Sequence, residues 1–125
     1  MKRPSHIHEF PVEIYRSRVY MTIGETMADA INRLPDEFAK AKVLETHADG
    51  SALMLPDGLG GFSLNFQYDD VDLDIVAHEL FHLTIDILHR TSSNLDNDHD
   101  EQGALLMGWL MGKVTKKLRA WEVKL

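Results

Sequence analysis

Apolar and polar positions change their period along the chain, and each change marks an element. Phe10, Val12 and Ile14 alternate with polar neighbours, so Phe10 to Tyr15 reads as a strand. Val19, Met21 and Ile23 repeat the pattern. Thr22 with Glu25 three residues on has the form of a capping box, and a short helix through Met27, Ala28, Ile31 and Leu34 should follow, stopped by Pro35. Val43 to Thr46 and Ala52 to Leu55 read as strands joined around the hairpin signal Asp49-Gly50. Phe62, Leu64 and Phe66 alternate with Ser63, Asn65 and Gln67, the mark of a half-buried strand. From Val71 to about His89 the period becomes helical, Thr91 to Asn97 is polar, and a second long helix is expected from about Asp98 to Trp121. Strands with one early helix, then two long helices, predict an α+β fold: a small twisted sheet packed against helices in a single domain over residues 1–125.

Composition narrows the chemistry. At 125 residues and 44% hydrophobic the chain can fold on a core, without disulfides. The lack of Cys excludes disulfide scaffolds, Cys-ligated zinc, iron–sulfur sites and thiol nucleophiles. A net charge of −7 argues against a dedicated nucleic-acid or membrane-surface binder. Met1-Lys2-Arg3 is followed by Pro4, Ser5, His6, His8 and Glu9 where a signal peptide needs an apolar run, and no stretch has the roughly 20 apolar residues of a membrane span. A cytoplasmic location is therefore expected. Charge is uneven: Asp69 to Glu101 carries ten acidic residues against Arg90 alone. Gathered carboxylates and imidazoles are what hard cations and zinc require. The cluster Lys113, Lys116, Lys117, Arg119 and Lys124 suits the C-terminal end of a helix.

Residues 78–82 read His78-Glu79-Leu80-Phe81-His82, an H-E-x-x-H motif. On a helix, i and i+4 share a face, so both imidazoles can reach one metal. Glu79 lies about 100° round from His78, beside the metal, where a general base for a metal-activated water belongs. Composition alone yields such a motif by chance about 2% of the time. The surrounding residues are apolar nearly all round, which predicts a buried helix with His78, Glu79, His82, Asp86 and His89 in one polar sector of about 100°. His89 is about 10 Å along the axis from His82, too far to share the ion. A supporting role beside the ligands suits Asp86 and His89 better.

A catalytic zinc needs a third protein ligand. Glu101, Gly108 and Gly112, spaced i, i+7 and i+11, share a helix face, and small residues there would let two helices approach closely. That makes Glu101 the leading candidate, with Asp98, His99 and Asp100 as alternatives. Locally, Glu101 could instead be the capping-box partner of Asp98.

The motif followed 19 residues after His82 by Glu101, in Asp100-Glu101-Gln102-Gly103-Ala104, resembles the gluzincin branch of zinc metallopeptidases. More closely, residues 71–112 look like the small zincin-like proteins encoded in phage and prophage genomes. The resemblance implies zinc on His78, His82 and Glu101, Glu79 as base and acid, and a peptide or protein substrate. It also implies that the strand near Phe62 to Tyr68 lines the cleft, where an extended substrate could add as a further strand. Two departures stand out. Leu105 occupies the position four after the third ligand, where larger gluzincins place an Asp, and no residue matches their transition-state stabiliser, for which His99 and Tyr68 are the candidates.

The expected function is thus a zinc-dependent metallopeptidase with Glu79 as general base. The alternative is a non-catalytic, zinc-stabilised phage or prophage structural or interaction protein. A repressor-cleaving metallopeptidase of the mobile-element type is a third reading, though such proteins usually carry a DNA-binding or sensor domain. Elsewhere, Met107 and Met111 suit core positions, Trp109 and Trp121 packing anchors, His47 an exposed hairpin, and His6 and His8 a frayed N-terminus.

Overall fold

The computed structural model describes residues 2–40, 52–91 and 100–125. They form an α+β protein with two compact units, Met1–Val71 and Asp72–Leu125. The expected strand at 43–46, the Asp49-Gly50 turn and His47 lie outside the described residues.

The first unit contains β1 (His6–Val12), β2 (Ser17–Gly24), α1 (Met27–Ile31), β3 (Ala52–Pro56) and β4 (Gly61–Gln67). The sheet order is β1-β2-β4-β3, with β2 and β4 parallel and both outer pairs antiparallel. The register sets Val19, Met21 and Ile23 beside Phe62, Leu64 and Phe66, with Phe10 beside Val19, so one face of the sheet is continuously apolar and buried. On the opposite face Tyr20 joins Met27, Ala30, Ile31, Leu34 and Phe38 in a core cluster, with Leu53 and Leu55 packed against it. The Tyr20 and Phe38 rings meet edge to face at 5.4 Å. Full burial of a Leu, Ile, Phe or Met side chain here stabilises the unit by about 1.5–3 kcal/mol.

β4 is buried on both faces, not half-buried, because Ser63 and Asn65 find partners inside. The Thr22 hydroxyl donates to Asn65 Oδ1 at 2.7 Å, and Asn65 Nδ2 donates to Ser63 Oγ at 2.9 Å and to the Leu53 carbonyl at 3.2 Å. A satisfied network removes the penalty that alternating polarity would otherwise carry in a core. β4 is also paired on both edges, by β2 and β3, so it offers no open edge to an extended substrate.

The segment from Lys2 to His8 is anchored, not frayed. The Arg3 guanidinium donates to both carboxylate oxygens of Glu25 at 2.7 and 2.9 Å and to Asp69 at 2.7 Å, and stands 4.4 Å over the Tyr68 ring. Lys2 pairs with Asp29 at 2.8 Å, and Arg33 holds both the Ser5 hydroxyl and its carbonyl. β1 therefore starts at His6 and ends at Val12, where the 3-10 turn Glu13–Tyr15 and a left-handed Arg16 (φ 50) lead into β2. The cap of α1 is Thr26, whose hydroxyl accepts from the Asp29 N–H at 3.1 Å, because Thr22 and Glu25 are engaged elsewhere.

The second unit pairs α2 (Leu73–Arg90) with α3 (Asp100–Ala120). Asp72 caps α2, its carboxylate accepting from the Ile75 N–H at 2.8 Å. α3 buries Leu106, Leu110, Val114 and Leu118, with Gly103. It ends at a left-handed Glu122 (φ 66), with the Val123 N–H on the Leu118 carbonyl and the Glu122 N–H on the Arg119 carbonyl, a Schellman closure. Among the described residues no helix is long and apolar enough to cross a membrane.

Candidate metal centre

The H-E-x-x-H motif lies on the middle turns of α2. That helix buries Val76, Leu80, Leu83, Thr84, Ile87 and Leu88, which recur at helical spacing on one side. The polar sector falls on the other side: His78, His82 and His89 are exposed, and Glu79 and Asp86 are half-buried. The expectation of a helix buried all round is thus corrected, and Phe81 is 48% exposed. Burying the side that carries Val76, Leu80, Leu83 and Ile87 leaves the opposite, polar sector at the surface, which avoids the cost of burying it.

The two motif histidines meet. Their Nε2 atoms are 3.3 Å apart and their rings stand at 72° with centroids 4.8 Å apart. Two imidazole nitrogens bound at about 2.0–2.1 Å to a tetrahedral zinc lie about 3.3 Å from each other. The pair therefore has the spacing of two of the four positions around such an ion. Glu79 follows His78 on the flank of the same exposed face.

The carboxylates of α3 do not join them. Among the described residues, no group of three or more His, Asp or Glu side chains is gathered so as to hold a metal ion. Glu101 is exposed and shares its face with Gly108 and Gly112, as the spacing predicts, but among the described residues that face does not pack closely on another helix. A Cβ at Gly108 or Gly112 would meet nothing within 4 Å among the described residues. α3 packs through its Leu and Val stripe, centred about 160° round from Glu101. Asp100 is exposed in the first turn, and Asp98 and His99 lie outside the described residues. Tyr68, a candidate stabiliser of the transition state, donates its hydroxyl to the Pro4 carbonyl at 2.8 Å and carries Arg3 on its ring, which gives it a structural task.

One feature had no signal in the sequence. A cavity of about 580 Å³ opens at one end of the first unit's sheet, lined by Glu13, Arg16, Arg18, Tyr20, Glu37 and Asp57 among others. It forms where two turns distant in sequence come together, Arg18 N–H donating to the Gly60 carbonyl at 3.1 Å. None of the motif residues lines it.

Compared with protein-family models, curated proteins and solved structures, the chain has no match in any of the three.

Proposed function

We propose that the protein is a small zincin-like zinc metallopeptidase that hydrolyses peptide bonds. The observation that supports this reading is the His78–His82 pair, whose 3.3 Å nitrogen spacing suits two ligands of one tetrahedral ion. Bound zinc would supply the Lewis acidity that polarises a scissile carbonyl and acidifies the attacking water. His78 and His82 would hold the ion, their Nε2 atoms being the pair brought together. A Glu79 carboxylate oxygen takes the proton from the attacking water and then delivers it to the leaving amine nitrogen. For the third ligand, Glu101 comes from the sequence resemblance and Asp98, His99 and Asp100 are the alternatives. Zinc content of each alanine variant identifies it.

The test is Glu79→Gln, assayed with zinc-loaded protein on unfolded polypeptide substrates. Cleavage should vanish while zinc stays bound at one per chain. Cleavage by Glu79→Gln at the wild-type rate overturns the assignment.

A second reading is a non-catalytic, zinc-stabilised interaction protein, favoured by the exposure of both imidazoles on the surface of α2. It expects His82→Ala to lower the thermal midpoint in zinc, with no proteolysis by the wild type on any substrate.

A further inference from the structure

The side of α3 that carries Glu101 has a self-complementary order. At about 100° per residue, Glu101, Leu105, Gly108, Gly112, Lys116 and Arg119 fall within about 80° of one another. All six are exposed. Leu105 is 66% exposed and Trp109, at the margin of the stripe, 43%. Both are larger apolar groups than a solvated helix face needs. The charges run from acid to base: Asp100 and Glu101 in the first turn, Lys117 and Arg119 in the last, with Lys116 between.

Only one pairing satisfies that order. Two parallel copies of α3 would set acid on acid and base on base. In an antiparallel pair, a two-fold axis at position 110 sets Glu101 against the partner's Arg119. The same axis sets Gly108 against the partner's Gly112, because both pairs straddle 110 evenly. The helix is 21 residues long, and the charged pairs would flank the axis at about 13 Å on either side. A contact of this kind is isologous and closed, so it stops at two copies.

We propose that this face of α3 is the interface of an antiparallel homodimer, its occupant being a second copy of this chain. Leu105 and Trp109 supply the apolar centre, the glycines admit the opposing helix, and the Glu101–Arg119 pairs set its direction. The dimer does not depend on the metal reading, but a Glu101 committed to this interface is not a metal ligand.

Sedimentation velocity of the full chain from micromolar to millimolar concentration tests it. The wild type should associate reversibly to a dimer. Gly108→Gln adds bulk without apolar gain where a single copy has open space among its described residues. It should raise the dimer Kd at least about tenfold while leaving the helical circular dichroism intact. Glu101→Arg and Arg119→Glu should each raise Kd about fivefold, and the two combined should return it to within about twofold of wild type. A monomer at every concentration overturns the proposal. So does a dimer indifferent to Gly108→Gln, a double charge exchange no better than either single one, or loss of zinc in Glu101→Ala.

Discussion

His78 and His82 hold their Nε2 atoms 3.3 Å apart on the exposed face of α2. An i, i+4 pair with free approach from solvent needs no rearrangement of the core to take up an ion. We therefore expect one zinc per chain, and a loss of affinity of at least about 100-fold in either His78→Ala or His82→Ala, since changes merely beside a ligand cost 10–100-fold. His89→Ala, two turns further along the same face, should keep the ion. Competition against a chromophoric chelator measures all three. Equal affinity in wild type and His82→Ala would remove the motif from the metal.

The Thr22–Asn65 hydrogen bond makes a separate prediction for the first unit. Both residues are fully buried, and Thr22 is the hydroxyl donor to Asn65 Oδ1 at 2.7 Å. Thr22→Val keeps the shape and removes the donor. A buried acceptor left without it costs about 1–3 kcal/mol, which urea unfolding followed by circular dichroism should resolve. A loss below about 0.5 kcal/mol would mean that another donor serves Asn65.

How far the sequence speaks depends on whether the decisive partner is near in the chain. α2 was legible because its period and the Asp72 cap are local, and the motif placed both imidazoles on one face as the spacing requires. The alternation of β2 and β4 was legible for the same reason, but not their parallel pairing or the partners that bury Ser63 and Asn65. The start of β1 was hidden because Arg3 and Glu25, which anchor it, stand 22 positions apart. Glu101 is the instructive case. Its common face with Gly108 and Gly112 follows from spacing, but spacing does not say which face is turned inward. Leu106, Leu110, Val114 and Leu118 each gain about 1.5–3 kcal/mol on burial, glycines gain almost nothing, and so the Leu and Val face packs and the glycine face stays open.

The Arg3–Glu25 pair ties stability to pH. Hydrogen bonds from the Arg3 side chain, and then from its backbone N–H, hold the Glu25 carboxyl down from 4.5 to about 2. A folded pKa below the unfolded one contributes stability that is complete above about pH 5 and fades as pH falls toward 2. Wild type should therefore exceed Glu25→Gln in stability at neutral pH, with the gap closing across that interval. A carboxyl titration by NMR with its midpoint near 4.5 would show that the clamp does not persist in solution.

Two glycines should respond to alanine with opposite signs. A Cβ at Gly24 would stand 2.7 Å from the Ala30 backbone nitrogen and 2.7 Å from the Asp29 Cβ, where β2 runs into α1. The obstacle includes backbone, so α1 must shift, and the cost should be about 1–3 kcal/mol or more. At Gly112, within α3, the new methyl meets nothing within 4 Å among the described residues. Gly112→Ala should instead stabilise the helix by about 0.5–1 kcal/mol, because alanine has less backbone freedom to lose. Measured at low micromolar concentration, where association at the α3 face does not contribute, the two midpoints should move apart. A stabilising Gly24→Ala would show that α1 does not close down on the end of β2.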